Sequence, residues 1–427
     1  MEVIASSNIL QIVRRTLNAM DNRVADHGVR VAYIAYKMLQ YSQETERRTF
    51  TNIIFAGLLH DVGAYKTDNI DHMSTFENQD TWPHSIYGYL FLKSFSYLEE
   101  NADIVLYHHI PYCNYKKAPL NLPDLHYAGL LCLADKVDNM TVYGTCTVCK
   151  NHLEQNKNIL YAAQWVNLFL QAEAEEHIIE KLKSGAYLKE FNTAVEQMHF
   201  TAQEKNSLLS MIAYEIDFRS EFMVLHTVTT VNVSRRLAEL LQVEPAQQEK
   251  IYYGALLHDI GKIKTPTEIL EKPGRLTDTE MQIMRQHVVA TADILEGYIE
   301  EDIRNIACNH HERLDGKGYP RGLTGEQLTL SDCIVMVSDL VSALTRKSSY
   351  KEAFDKQTVC SILRQESDSG RICKKTSDMM INNFDDIMAT AEEYGSRIFG
   401  IYAGLKQQYE ALRKSLPENL AQHAKVS

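Results

Sequence analysis

The sequence predicts an all-α protein built from two tandem helical bundles, and three features of the chain point that way. Apolar residues recur at helical spacing along most of the 427 residues, while the period-two alternation of a half-buried strand is scarce. Only nine prolines interrupt the chain. A set of histidines and aspartates also occurs twice in the same order, the second set 198–204 residues after the first.

Taken in order, amphipathic stretches predict helices over 9–20, 27–40, 47–59, 85–94, 125–140 and 160–183 in the first half. The second half continues with 204–217, 226–241, 248–258, 278–295, 331–344 and 383–414. His226 opens a helix whose apolar stripe runs through Thr230, Val233 and Leu237, so its imidazole points inward; His27 repeats this with Val31, Ile34 and Met38. Ser184-Gly185 ends the long helix of the first half, and Thr201-Ala-Gln-Glu204 offers a capping box for the next. The domain boundary is therefore expected near residue 197, giving domains 1–197 and 198–427. The spacing of Leu405, Tyr409 and Leu412 marks a C-terminal helix for packing or homodimer formation, fraying after Pro417.

Composition narrows the function classes. A net charge of −12 argues against a general surface for polymeric nucleic acid, though not against a local phosphate pocket. No apolar run reaches the roughly 18–20 residues of a membrane helix, and the N-terminus has no secretory pattern, so the expected compartment is the cytoplasm. Eight cysteines without an export signal read as reduced thiols, and the single Cys146-x-x-Cys149 pair lacks the second pair of a zinc site.

The chemistry lies in the repeat. The first half supplies His27, His60-Asp61, His84, His108-His109 and Asp135; the second supplies His226, His258-Asp259, His287, His310-His311 and Asp339. Ten of the sixteen histidines belong to this scheme, which makes it a duplicated domain with one ligand set built into each copy. Five histidines and two aspartates exceed the needs of one four-coordinate ion, but suit two ions sharing a bridging carboxylate. Nitrogen and oxygen donors without thiolate favour iron or manganese, with magnesium, nickel and zinc left open. Such a site suits phosphate-ester hydrolysis, in which two ions clamp the phosphoryl group and acidify a water.

Beyond these spacings, the second half resembles the HD-GYP family of HD-domain metal-dependent phosphohydrolases. The resemblance spans about residues 205–395 and rests on His258-Asp259-Ile-Gly-Lys262, His287, His310-His311-Glu312-x-x-Asp315-Gly316-Lys317-Gly318-Tyr319-Pro320, and Ser338-Asp339. It implies two tandem HD-type domains and hydrolysis of a cyclic dinucleotide, chiefly cyclic di-GMP, with 3',3'-cyclic GMP-AMP fitting equally well. It also implies that His226, His258, Asp259, His287, His310, His311 and Asp339 are metal ligands, with Asp259 as the bridge and two ions per active site. By the same resemblance Lys262 contacts the scissile phosphate, and Lys317, Gly318, Tyr319, Pro320, Arg321 and Lys351 contact substrate. Asp315 reads either as a loop tether or as an Asx-type turn residue.

Three positions depart from the family pattern. Phe222 replaces the glutamate through which some members add a third ion. Ser342 stands where a carboxylate is usual, and Ser348-Ser349-Tyr350-Lys351 replaces a basic phosphate-binding pattern. The first half resembles an HD domain more distantly: its seven ligand positions His27, His60, Asp61, His84, His108, His109 and Asp135 are intact. Ala64, however, replaces the lysine, Lys66 follows two residues on, and no GYP loop is present. That copy reads as a structural or regulatory metal domain, a second active site, or a metal-free remnant. For the whole chain, the leading reading is a cyclic-dinucleotide phosphodiesterase; hydrolysis of another nucleotide and an inactive dinucleotide-binding module are the competing ones.

Overall fold

The computed structural model describes residues 4–20, 26–42, 44, 46–64, 81–117, 125–220, 223–346 and 353–416. Among them every regular element is a helix, as the spacing predicts, with two isolated β-bridges. The chain forms two compact units, each drawn from two segments. The first comprises Asp21–Leu208 with Leu405–Ser427, and the second Met1–Met20 with Leu209–Gly404.

The first unit contains α2 (His27–Gln40), α3 (Arg47–Leu58), α4 (Trp82–Phe95), α5 (Ala102–Tyr107), α6 (Leu125–Tyr143), α7 (Cys146–Gln155), α8 (Ala163–Glu176), α9 (Ile178–Ser184) and α10 (Ala186–Glu196). Helix α2 packs on α3 and α6, and α5 packs on α4 and α6. Val31, Ile34, Ile53, Ile54, Leu92 and Val105 are fully buried between them.

After α11 (Ala202–Asp217), the second unit repeats the pattern with α12 (His226–Leu240), α13 (Pro245–Leu257), α14 (Asp278–Leu295), α15 (Glu301–Cys308) and α16 (Leu330–Leu344). Helices α17 (Lys356–Asp368), α18 (Lys374–Asn382) and α19 (Phe384–Ser415) follow. Helix α12 packs on α13 and α16, as α2 does on α3 and α6. Capping boxes at Thr277/Glu280 and Thr329/Asp332 start α14 and α16. The expected Thr201/Glu204 box is also present, with Thr201 N donating to Glu204 Oε2 at 2.9 Å and Glu204 N to Thr201 Oγ1 at 3.2 Å.

The division differs from 1–197 and 198–427 at three places. The boundary falls at 208/209, inside α11, and both termini change sides. Helix α1 (Ser6–Met20) belongs to the second unit because Ile9, Leu10, Ile12 and Val13 need a core, and they bury against α14 and the 3-10 turn Ile260–Lys264. Arg15 then caps the end of α14, donating to Asp293 O at 2.7 Å and Glu296 O at 2.9 Å. At the other terminus Tyr409 stacks on Tyr87 of α4, with ring centroids 4.5 Å apart, so the C-terminal stripe serves packing within the first unit.

The helix expected over 160–183 is broken at His177, whose φ of 53° ends α8. The Glu173 carboxylate accepts Ile179 N at 2.9 Å and satisfies the start of α9.

Both tryptophans, Trp82 and Trp165, lie in the first unit, which allows the two units to be followed separately. Leu10→Ala, at a fully buried position, is expected to destabilise the second unit by about 2–5 kcal/mol. Hydrogen exchange in α14 should accelerate while tryptophan-monitored urea unfolding stays unchanged; the reverse pattern would place α1 wrongly.

Candidate metal centre

In the second unit, seven side chains from five parts of the fold converge. His226 opens α12, His258 and Asp259 follow α13, His287 sits on α14, His310 and His311 follow α15, and Asp339 lies on α16. All but the half-buried His311 are buried. Asp259 is central: its Oδ2 lies 3.0 Å from His226 Nε2 and 3.2 Å from His258 Nε2. Its Oδ1 lies 3.3 Å from His287 Nε2 and 3.8 Å from His310 Nε2. Asp339 joins the same two groups, with Oδ1 3.1 Å from His226 Nε2 and Oδ2 3.9 Å from His311 Nδ1.

The hydrogen bonds of the rings decide which nitrogen faces the centre. His258 Nδ1 donates to Ala255 O at 2.7 Å, His287 Nδ1 to Met284 O at 2.6 Å and His310 Nδ1 to Ala307 O at 2.7 Å. A carbonyl only accepts, so Nδ1 carries the proton and a neutral ring offers its Nε2 lone pair inward. Burial pushes His287 down to about 3 and His311 to about 4, and holds His310 well below its ordinary value, so all three are neutral near pH 7. Burial raises the Asp259 carboxyl, but His258 and Lys262 outweigh it and hold that carboxyl well below the usual range.

The neutral imidazoles of His287, His310 and His311 facing an ionised carboxylate are donors of the kind a divalent cation needs. Two further observations fit one. His287 Nε2 and His310 Nε2 stand 3.2 Å apart, lone pair against lone pair, and Asp259 Oδ1 is buried without a hydrogen-bond partner. Cation-sized groupings form on either side of Asp259: His226, His258 and Asp259 on one, His287, His310 and His311 on the other.

Lys262 reaches this centre. It lies on the 3-10 turn Ile260–Lys264, where its Nζ pairs with Asp259 Oδ2. Arg219, a residue the spacing did not single out, holds the turn from beneath, donating to Lys262 O at 3.0 Å and Ile263 O at 2.9 Å. Gly261 lets the turn meet α14, because a Cβ there would collide with His287 O and the Thr291 backbone nitrogen.

The loop after His311 wraps around a carboxylate. Buried Glu312, given no role from sequence, accepts Arg321 N at 2.7 Å and Leu323 N at 2.9 Å. Gly318 passes so close to Glu312 Cα and Arg313 N that no side chain fits there. The Tyr319–Pro320 peptide is cis, and the Tyr319 ring lies 4.7 Å from that of His311. Lys317 and Pro320 are exposed beside it. Asp315 matches the Asx-type turn reading: its carboxylate accepts Lys317 N, two residues on, at 3.1 Å, and takes Arg313 Nε at 3.0 Å.

Arg321 does not join this group. Its guanidinium donates to Asn309 Oδ1 at 2.6 Å and Asn305 Oδ1 at 3.3 Å, and lines a separate cavity of about 560 Å³ with Gln247 and Gln327. Instead the exposed Arg285, which no motif marks, lies 4.8 Å over the Tyr319 ring. Lys351, Phe222 and the Ser348–Tyr350 departure lie outside the described residues. At Ser342 the lost carboxylate is partly replaced: its hydroxyl stands 3.0 Å from His226 Nδ1 and donates to His226 O at 3.1 Å.

The first unit builds the same centre. Asp61 Oδ2 lies 3.3 Å from His60 Nε2 and 3.5 Å from His27 Nε2, and Oδ1 lies 3.7 Å from His84 Nε2 and 3.9 Å from His108 Nε2. Asp135 Oδ1 is 3.2 Å from His27 Nε2, and His84 Nε2 is 2.8 Å from His109 Nε2. His60 and His108 donate from Nδ1 to Gly57 O and Val105 O at 2.8 and 2.6 Å. Burial takes His108 down to about 3. Where Ser342 stands in the second copy, this unit has Asp138, which accepts His27 Nδ1 at 2.7 Å and pairs with Arg30. The turn of Lys262 is retained, since Ala64 N bonds Asp61 O at 2.9 Å as Lys262 N bonds Asp259 O, but the ammonium is gone. Lys66 lies outside the described residues. Of the Cys-x-x-Cys pair, Cys149 is buried and the Cys146 side chain lies outside the described residues.

Comparisons with known proteins agree with this geometry. HD domain family models match residues 24–140 and 210–374. The chain is 30% identical, over 87% of its own length and 90% of the relative's, to the 3'3'-cGAMP-specific phosphodiesterase 1 of Vibrio cholerae serotype O1. It belongs to the HD-GYP family of HD-domain phosphodiesterases. The cyclic di-GMP phosphodiesterase response regulator RpfG of Xanthomonas campestris pv. campestris is 33% identical to this HD-GYP protein, over 42% of the chain and 53% of the relative. A crystal structure of a cyclic GMP-AMP specific phosphodiesterase of Vibrio cholerae covers 90% of the chain and 98% of its own at TM-score 0.55 and 15% identity, a likeness of fold. HD domains depend on metal, and the His/Asp clusters of both units could bind it. Among the described residues, no helix is long and apolar enough to cross a membrane.

Because Gly261 has backbone atoms where a Cβ would go, Gly261→Ala is expected to destabilise the second unit by about 1–3 kcal/mol and to displace Asp259. Metal content by plasma mass spectrometry should fall; full occupancy would show that the turn has slack.

Proposed function

We propose that this HD-GYP protein is a cytoplasmic, metal-dependent phosphodiesterase that opens a cyclic dinucleotide at the centre of its second unit. The observation that carries the reading is Asp259, an ionised carboxylate faced on each oxygen by imidazole nitrogens, with the Lys262 ammonium beside it. His226, His258, Asp259 and Asp339 would hold one divalent ion and His287, His310, His311 and Asp259 a second, with iron or manganese favoured by the donor set. Such ions, when bound, supply Lewis-acid charge to the scissile phosphate and acidify the attacking water.

The protein's own residues do the rest. Lys262 is fixed on a turn held by Arg219 and α14, so its ammonium is placed to meet charge that grows on the phosphate oxygens. Tyr319 offers a ring face beside His311 and, with Lys317, Gly318 and Pro320, a wall for a nucleobase. Arg285 above that ring adds a cation at the mouth for the second phosphate.

Between the two substrates, 3',3'-cyclic GMP-AMP is the reading with more support. The relative matching across both halves carries that specificity in its name, whereas the cyclic di-GMP relative RpfG matches over 42% of this chain. Cyclic di-GMP is the second reading, favoured by the complete His310-to-Pro320 block of the second unit. For the first unit, the ligand geometry without the lysine or the GYP loop supports a structural metal site, since metal affinity there is folding free energy.

Lys262→Ala is expected to lower kcat about 10²–10³-fold on either dinucleotide, with metal content near wild type. Turnover unchanged in anaerobically purified, manganese-loaded protein would remove the lysine from the chemistry. For the first unit, His60→Ala/Asp61→Ala should lower total metal and the tryptophan-monitored unfolding midpoint, leaving turnover intact. Loss of turnover with the second unit's metal retained would mean that the first copy takes part in the reaction.

A further inference from the structure

The second unit holds a cavity of about 560 Å³ that none of its seven candidate metal ligands lines, and its volume is that of a small-molecule site. One wall is a single face of α15 and its cap, formed by Asp302, Asn305, Ile306 and Asn309 at positions i, i+3, i+4 and i+7. Gln247 on α13, the loop from Arg321 to Gln327 and the first turn of α16 supply the others. Hydrogen bonds between the walls preform the space. Gln247 Nε2 donates to Ser331 Oγ at 2.9 Å, joining α13 to α16, and Asn309 Nδ2 donates to Asp332 Oδ1 at 2.9 Å, joining α15 to α16. Ile306, Leu323 and Leu330 add apolar surface among these groups.

Two charged side chains keep unused hydrogen-bonding capacity here. Arg321 donates twice from Nη2, to Asn309 Oδ1 and Asn305 Oδ1, which orients the guanidinium while Nη1 and Nε make no hydrogen bond among the described residues. Asp302 takes Lys250 Nζ on Oδ2 at 2.8 Å, and its Oδ1 accepts nothing among the described residues. Asp302 stands one turn of α15 before Asn305, a rise of about 4.5 Å, so a donor cation and an acceptor carboxylate border one apolar surface at a spacing that a fused heterocycle bridges. The second carboxylate of the lining, Asp332, is already occupied on both oxygens, by Asn309 Nδ2 and by Thr329 N at 2.7 Å. With one cation and one unspent carboxylate, the lining suits a neutral polar ring better than a polyanion.

We propose that this cavity binds the guanine base of a nucleoside or nucleotide, at a site separate from the metal centre. Guanine presents two acceptors, O6 and N7, on one edge and two donors, N1–H and the 2-amino group, on the next. The acceptors meet Arg321, the donors meet Asp302 Oδ1, and Ile306, Leu323 and Leu330 cover the ring. Adenine would turn its 6-amino group towards the guanidinium, donor against donor, and carries no proton at N1 for the carboxylate. The occupied cavity is coupled to the metal centre through the backbone. Arg321 N is held by Glu312 Oε1 at 2.7 Å, and Asn309 directly precedes His310.

The test measures binding to the full-length, metal-loaded protein and no turnover, so its outcome is independent of the proposed phosphodiesterase activity. The probe is guanosine, which has no phosphate to offer the metal centre, titrated by calorimetry. Saturable binding is expected, with adenosine and 7-deazaguanosine each weaker by about tenfold or more. Arg321→Gln should weaken guanosine by about the same factor. So should Asp302→Ala, which removes an exposed side chain and so tests the site even if Arg321→Gln disturbs the loop. Hydrogen exchange should slow across residues 301–309 and 321–332 when guanosine is bound. Displacement of guanosine by GMP would make a mononucleotide the ligand, and displacement by cyclic di-GMP alone would make it a cyclic dinucleotide. No binding at millimolar guanosine, equal affinity for adenosine, full affinity in Asp302→Ala, or protection confined to the metal ligands would overturn the proposal.

Discussion

Everything in this fold depends on directing imidazole lone pairs at a buried carboxylate. The device is the same each time: a histidine placed at the end of a helix donates from Nδ1 to a carbonyl three residues earlier. His60 after α3, His258 after α13, His108 after α5 and His310 after α15 all do so. The last carbonyls of a helix have no partner within it, so the ring satisfies a group that burial would otherwise leave unpaired. One hydrogen bond thereby completes the helix end, orients the ring and determines the tautomer. The helices of each unit are arranged so that these ends meet around Asp61 or Asp259.

The two copies show which parts of the centre can vary independently. The carboxylate with its ring of histidines is shared, and so is the turn after it, down to the hydrogen bond that closes the turn. What differs is everything that faces a substrate. The second unit has Lys262 where the first has Ala64, and a loop wound around Glu312 where the first has the short 3-10 segment Tyr112–Lys117. The support of the leading histidine differs in the opposite sense. His27 has the Asp138 carboxylate braced by Arg30, while His226 has the hydroxyl of Ser342. A carboxylate makes a metal-bound imidazole more basic and a hydroxyl only orients it, so a metal in the first copy would meet the more basic leading histidine.

Much of this was legible in the sequence, because a duplicated ligand set with nearly constant offsets leaves few alternatives. Helix positions followed from apolar spacing wherever the stripe was long, and the tandem architecture followed from the repeat, its HD type coming only from the resemblance of the motifs. The exchange of termini was not legible. The stripe of α1 says that Ile9 and Leu10 must be buried, but only tertiary packing decides which unit buries them. Short helices such as Ala102–Tyr107 and Glu301–Cys308 escaped because two turns carry too little periodic signal. The direction of the Arg321 side chain was not legible for a related reason. A motif gives its position on the loop, whereas Asn305 and Asn309, on another element, decide where the guanidinium points.

The cost of the arrangement explains why so much of the second unit is spent around one turn. Asp259 and Asp339 are buried as ionised groups, and burial alone would raise both carboxyls. Lys262 offsets part of that charge from a flexible side chain. A flexible ammonium is useful to a phosphate only if its backbone does not yield. Arg219 gripping two carbonyls of the turn, Thr291 Oγ1 accepting Gly261 N at 3.0 Å and α1 lying against the same segment supply that rigidity. The N-terminal helix, more than two hundred residues away in sequence, is thus part of what holds Lys262 in place. Function here rests on the packing of α1 as much as on the motif that announces it.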